Sequence, residues 1–251
     1  MSFDIFLDLS FFAVVAALYS SVGHAGASGY LAIMALLSFS PSVIKTNSLI
    51  LNIIVAFIAS VNFIKEGYFD KKVFLLFALT SIPMAYWGGT VQIDPKQFKL
   101  VAGIFLIFSA VLLPLRQFIS ARTVEVMPLN VYAALLLGAL IGFVSGVIGV
   151  GGGIFLSPIL IIFKWANLKN ASGVAALFIF FNSAFALLGH FKGAYAFDPH
   201  LFYWVIGVVL GGFVGSHLGA KKLSTQAITL CLFVVLMSAG IKFTFIDYFK
   251  K

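Results

Sequence analysis

The sequence predicts an all-α integral membrane protein of about eight transmembrane segments. They are arranged as two homologous repeats, each beginning with a glycine-broken helix or hairpin. Three observations predict it. The 251 residues are 62% hydrophobic and only 10% charged, with a mean hydropathy of +1.12, whereas a soluble domain carries about 25% charged residues. The apolar residues fall into runs, several of them close to the roughly 20 residues a membrane-crossing helix needs. The order of those runs occurs twice along the chain.

In chain order the runs lie at 6–22, 27–39, 47–64, 73–91, 97–115, 129–148, 153–163, 171–189, 201–219 and 226–246. Turn signals part them, among them Ser40-Pro41-Ser42, Asp94-Pro95-Lys96, Arg116 to Pro128, and Lys192 to His200. Six runs are full spans, while the pairs 6–22/27–39 and 129–148/153–163 are short or interrupted by glycine. The stretch 138–160 holds seven glycines, three of them consecutive at Gly151-Gly152-Gly153. Each glycine costs a helix about 1 kcal/mol relative to alanine, so this stretch is read as a broken helix. Backbone groups freed by such a break are tolerated in a membrane only where protein buries them or they line a cavity.

A broken pair followed by three spans describes residues 1–116 and again 129–251, with 117–128 as the linker; the stretch Arg116 to Pro128 holds both arginines. At an offset of 124 to 128, Gly23 falls opposite Gly149, Gly26 opposite Gly152, Lys45 opposite Lys169, Ser48 opposite Ser172, and Asp70 opposite Asp198. If each broken pair returns to its own side, each repeat crosses three times and the copies are inverted; if it crosses once, they are parallel. Inversion is the favoured reading, because transport sites at the bilayer midplane are commonly built that way. The distribution of lysine and arginine does not fix the orientation.

The first lysine is Lys45, with Asp4 and Asp8 before it, so the first run lacks the basic start of a cleaved signal and is expected to stay as structure. A single cysteine, Cys231, excludes an intrachain disulfide. The +8 net charge is assigned to membrane topology rather than to nucleic acid, which is excluded as a partner. No metal, cofactor or catalytic residue is expected.

All eight acidic residues sit in loops, at termini or at run ends. Cation pumps and proton relays use carboxylates inside the membrane, so the expected cargo is a small anion held by helix N-termini and neutral donors. The predicted binding residues are Ser21, Gly23, His24 and Gly26 in the first break, Gly151, Gly152 and Gly153 in the second, and Asn52, Asn182 and Ser183 in the spans beside them. His24 is the ionisable group beside a break and the candidate for proton coupling, since an imidazole titrates near neutral pH. Lys45 and Lys169 are placed at the mouths as solvated loop lysines.

Each assignment has a structural alternative. A buried serine can bond its own helix carbonyl, and small-residue stripes carrying asparagine can serve helix packing alone. The stripe Gly207, Gly211, Gly215, Gly219 is read as packing. Gly26-Ala27-Ser28-Gly29 matches the GxSG of intramembrane serine proteases, with His190 and His217 available as bases. An anion channel is a further alternative. Predicted partners are a small anionic substrate, membrane lipid and a coupling proton, with self-association left open.

The segments SGVIGVGGGIFLSPIL (145–160), the Trp165 region and LFIFFNSAFALLGH (177–190) resemble the sulfite exporter TauE/SafE family of permeases. The stretch 20–53 resembles the N-terminal repeat of one branch of that family, and the likeness continues to GSHLGAKKL and AGIKF near the end. The resemblance implies a multi-pass permease of a bacterial-type cytoplasmic membrane that moves sulfite, sulfonates or other organosulfur anions by alternating access. The chain departs from the usual pattern at His24, Ala25 and Ala184, where members often carry glycine.

Overall fold

In the computed structural model the described residues are 3–21, 23–120, 126–193, 195–219 and 225–247. They form ten α-helices: α1 Phe3–Ser21, α2 Ala27–Leu36, α3 Pro41–Lys65, α4 Lys71–Thr90, α5 Pro95–Ser120, α6 Val131–Ile148, α7 Gly153–Ile162, α8 Leu168–His190, α9 Leu201–Gly219 and α10 Thr225–Ile241. A π-helical turn, Lys242–Asp247, follows α10. Five helices (α3, α4, α5, α6 and α8) are long and apolar enough to cross a membrane. Large apolar side chains such as Leu79, Leu136, Phe202 and Phe213 point outward. This is an all-helical, multi-pass membrane protein.

The polar residues between the runs set the helix ends. Asp70 caps α4 by accepting from the Lys72 and Val73 amides, Asn130 caps α6 through Ala133, and Asn167 caps α8 through Asn170. Each cap satisfies backbone donors that the first helical turn leaves open. Helix α5 continues through Pro114 to Ser120, four residues into the predicted linker; residues 121–125 of that linker lie outside the described residues.

Contacts along the helices fix their directions. Gly207, Gly211 and Gly215 of α9 lie against the carbonyls of Leu9, Ala13 and Ala17 of α1, so these two helices run parallel with almost no side chain between them. Gly138, Gly142 and Gly146 of α6 do the same against Phe77, Ser81 and Ala85 of α4. The glycine stripe of α9 is therefore a packing device, as read. Helix α3 lies alongside α9, with Val55 at Gly212 and Asn62 at Ser216, and runs the same way as α1. Since α1 and α3 point in one direction, α2 runs back between them. Helix α8 is parallel to α4, through Ser81 with Asn182 and Tyr86 with Gly189. The same argument makes α7 the return segment between α6 and α8.

Helices α3 and α8 cross the middle of the bundle antiparallel, with Thr46 at His190, Asn52 at Ser183 and Phe57 at Phe180. Helix α5 runs antiparallel to α10 and the π-helical turn after it, with Gly103 against Thr244 of the turn and Ile107 against Gly240 of α10.

Candidate functional site: the meeting of two helix breaks

Between α1 and α2 the chain leaves the helix at Gly23 and re-enters after Gly26, with φ of +77° and +102°. Between α6 and α7 it does so at Gly149 and Gly152, with φ of +90° and +77°. These are the glycines the sequence pairs, and left-handed backbone is the conformation that glycine adopts without penalty. The hydrogen bonds repeat as well. The His24 amide donates to the Tyr19 carbonyl at 3.0 Å, and the Val150 amide to the Ser145 carbonyl at 3.1 Å. At the far ends of the short helices, Ser38 and Lys164 take φ of +63° and +57°, again 126 residues apart.

The two breaks touch. His24 Nε2 lies 3.3 Å from the carbonyl of Gly153; a carbonyl only accepts, so Nε2 carries the proton in that contact. Asn52, near the middle of the 25-residue α3, joins both sides. Its Oδ1 accepts from the Ala27 amide at the start of α2 at 3.1 Å, while its Nδ2 donates to Ser183 Oγ at 2.8 Å and to the Val150 carbonyl at 3.4 Å. Gly151 lies directly under this pair: a Cβ there would come within 2.6 Å of Asn52 Nδ2 and overlap Ser183 Oγ. Among the described residues, none accepts a hydrogen bond from the amides of Gly151, Gly152, Gly153 and Ile154. The start of α7 therefore presents a row of open N–H donors, where the helix dipole also favours negative charge.

The structure thus brings together His24, Asn52, Ser183 and Gly151 to Gly153. The other predicted residues are placed differently. Ser21 donates to the carbonyl of Leu18 in its own helix at 2.7 Å. Gly23 packs on Ser172 of α8, and Gly26 on the ring of Tyr30. Asn182 turns towards α4, donating to Ser81 Oγ at 3.1 Å and to the Phe178 carbonyl at 2.8 Å. Its neighbour Ser183 faces the break because consecutive helical residues diverge by about 100°.

Two residues absent from the predicted set build the first break from within. Tyr19 Oη lies 2.8 Å from Ser28 Oγ, and Tyr30 Oη donates to the Ala25 carbonyl at 2.8 Å. Both phenols are fully buried. A tyrosine flanking a glycine break in an apolar run was the available signal, since a buried hydroxyl needs a partner. The GxSG serine is thus held by a phenol. His190 lies 3.1 Å from Thr46 Oγ1, and His217 stacks on Phe213. Among the described residues, no group of three or more histidine, cysteine or acidic side chains is placed to hold a metal ion.

Lys45 departs most from expectation. It is 5% exposed and reaches the Gly89 carbonyl at 3.3 Å, whereas Lys169 stays outside, bonded to Tyr68 Oη at 2.8 Å. The predicted pairing of these lysines also shifts. The N-caps Ser40 and Asn167 are 127 residues apart, which places Ser172 opposite Lys45 and Ile179 opposite Asn52.

The profile of the sulfite exporter TauE/SafE family matches residues 9–243. A protein of Sinorhizobium fredii (strain NBRC 101917 / NGR234) called probable membrane transporter protein y4hK is 36% identical over 238 residues, covering 94% of this chain and 96% of its own. Probable membrane transporter protein YunE of Bacillus subtilis (strain 168) is 23% identical over 224 residues, 80% of each chain. No solved structure matches significantly. A multi-pass membrane protein by architecture and a membrane transporter by relationship, the chain belongs to the sulfite exporter TauE/SafE family.

Proposed function

We propose that this protein is a secondary transporter that moves a small anion of the sulfite, sulfonate or organosulfur class across the cytoplasmic membrane by alternating access. The meeting of two helix breaks at the mid-length of α3 carries the reading. Asn52 bonds one break on each side, and the open amides of Gly151 to Ile154 stand beside it. Broken helices that meet inside a bundle are the usual form of a substrate site in secondary transporters. The family description and the names of the relatives point to transport, and to sulfite as one candidate cargo.

In this reading the anion sits against the N-terminus of α7, with Asn52 and Ser183 as side-chain donors. His24 couples a proton to its passage, because it is the ionisable side chain that spans from one break to the other. The two sets of five helices act as inverted repeats, a view supported by the antiparallel crossings of α3 with α8 and α5 with α10.

The test is a melting-temperature series of the purified protein with sulfite, thiosulfate, methanesulfonate and acetate, followed by flux in proteoliposomes. Stabilisation by at least one sulfur oxyanion and saturable uptake are expected. No stabilisation by any of these anions would remove the cargo assignment, and unsaturated, ion-limited currents would make the protein a channel.

A further inference from the structure

We infer that Lys45 supplies the buried counter-charge for the transported anion, completing a subsite with Ser48 and Asn52 along one face of α3; this rests on the anion-transport reading above. Among the described residues Lys45 is the lysine whose side chain is buried, and none of them pairs it with a carboxylate. A lysine ammonium has three N–H donors. Among the described residues, the hydrogen-bond acceptor that reaches it is the Gly89 carbonyl at 3.3 Å, in the last turn of α4. That contact is longer than the usual N–H···O range of roughly 2.7–3.2 Å. Burying a charge without a partner is expensive, so the site is incomplete as a purely structural arrangement.

The position of Lys45 makes the missing partner a ligand of the breaks. Its stem passes the second break, where a Cβ on Gly149 would come within 2.9 Å of Lys45 Cγ. Seven residues on, and so on the same face of the helix, Asn52 meets that break at Val150 and Gly151. Ser48 lies between them, one turn from each. Its Oγ is fully buried and has no hydrogen-bond partner. Lys45, Ser48 and Asn52 therefore line one face of α3, with the Lys45 stem at Gly149 and Asn52 at Val150 and Gly151 beside the start of α7. The ammonium and the Ser48 hydroxyl can each donate a hydrogen bond that no described residue uses, which suits an oxyanion with several acceptor atoms.

The charge is confined to one side of the meeting point. The position opposite Lys45, counted from the helix caps, is Ser172, whose hydroxyl donates to its own helix at the Leu168 carbonyl. The other lysines with described contacts are engaged at the periphery: Lys169 with Tyr68, Lys192 over the ring of Tyr86, and Lys242 with the Ala35 and Leu36 carbonyls. The anion therefore meets its fixed positive charge on the half of the path that leads to the N-terminus of α3.

The experiment compares sulfite affinity, from melting-temperature titrations, in the wild type and in Lys45→Gln, Lys45→Arg, Ser48→Ala and Lys169→Gln. Lys45→Gln is expected to weaken sulfite binding by about tenfold or more, as the loss of a charge-assisted hydrogen bond does. Lys45→Arg should recover part of that loss, and Lys169→Gln should stay within about twofold of wild type, as for an exposed charge. A folded Lys45→Gln that binds sulfite as tightly as wild type overturns the assignment while leaving the anion site in place. If Lys45→Gln does not fold, Ser48→Ala decides, since removing an unpartnered hydroxyl leaves packing intact; unchanged affinity there overturns the subsite. Absence of any sulfite effect on the wild type itself overturns the anion-transport reading first, and this inference with it.

Discussion

The two breaks share a backbone and differ in what they attach to it. Gly23 and Gly26 match Gly149 and Gly152 in conformation, and the capping hydrogen bonds repeat at the same spacing. Yet the first break carries an imidazole at His24 and braces itself with Tyr19 and Tyr30, while the second places bare Gly151 at the contact. Opposite Asn52 and Lys45 of α3 stand Ile179 and Ser172 of α8. The first half of the chain thus supplies most of the polar side chains and the second half the open backbone. A site between two similar halves can specialise by stripping one side to glycine, so that the donors of the other can reach across.

The comparison is broken most directly at position 151. Gly151→Ala is expected to abolish transport and lower the melting temperature. A left-handed φ costs a residue with a Cβ about 1–3 kcal/mol, and here the Cβ also meets Asn52 and Ser183. At the opposite position Ala25 is not left-handed, so Ala25→Gly should cost only about 0.4–1 kcal/mol and keep transport. Equal effects of the two changes, read by thermal unfolding and sulfite flux, would dissolve the distinction.

Next in size is Asn52. Asn52→Leu strands the Ala27 amide, a loss of about 1–3 kcal/mol for one buried group, visible as a lower melting temperature. Asn52→Asp keeps that acceptor but sets a carboxylate against the anion. It should fold and lose anion-induced stabilisation. His24→Asn is expected to leave folding nearly unchanged and to remove the response of flux to an imposed pH gradient; an unaltered response would exclude His24 as the coupling group. Asn182→Ala should cost about 1 kcal/mol through the lost Ser81 bond and leave transport intact, because that amide faces α4.

How far the sequence carried these conclusions depended on how local each signal was. Glycine runs inside apolar stretches betray a break without any partner, so both breaks and their pairing were legible. The caps Asp70, Asn130 and Asn167 act within their own turns and so are local signals, but the runs at 73–91, 129–148 and 171–189 rest on apolar residues alone. The sequence offset that sets Lys45 opposite Lys169 differs by three residues from the one the helix caps give: the loop from Lys164 to Asn167 is one residue longer than that from Ser38 to Ser40, which makes the offset 127 rather than 124. The burial of Lys45 was invisible, since its neighbours Gly89 and Gly149 arrive from helices far along the chain. Asn182 and Ser183 could not be told apart until the direction of α8 was known.

The glycine-on-carbonyl crossings have a mechanical consequence. Where α1 meets α9, and where α4 meets α6, backbone rests on backbone with no clearance for sliding. Each of these welds joins a helix from the first half of the chain to one from the second. A motion that separated the two halves of the sequence would have to break both crossings.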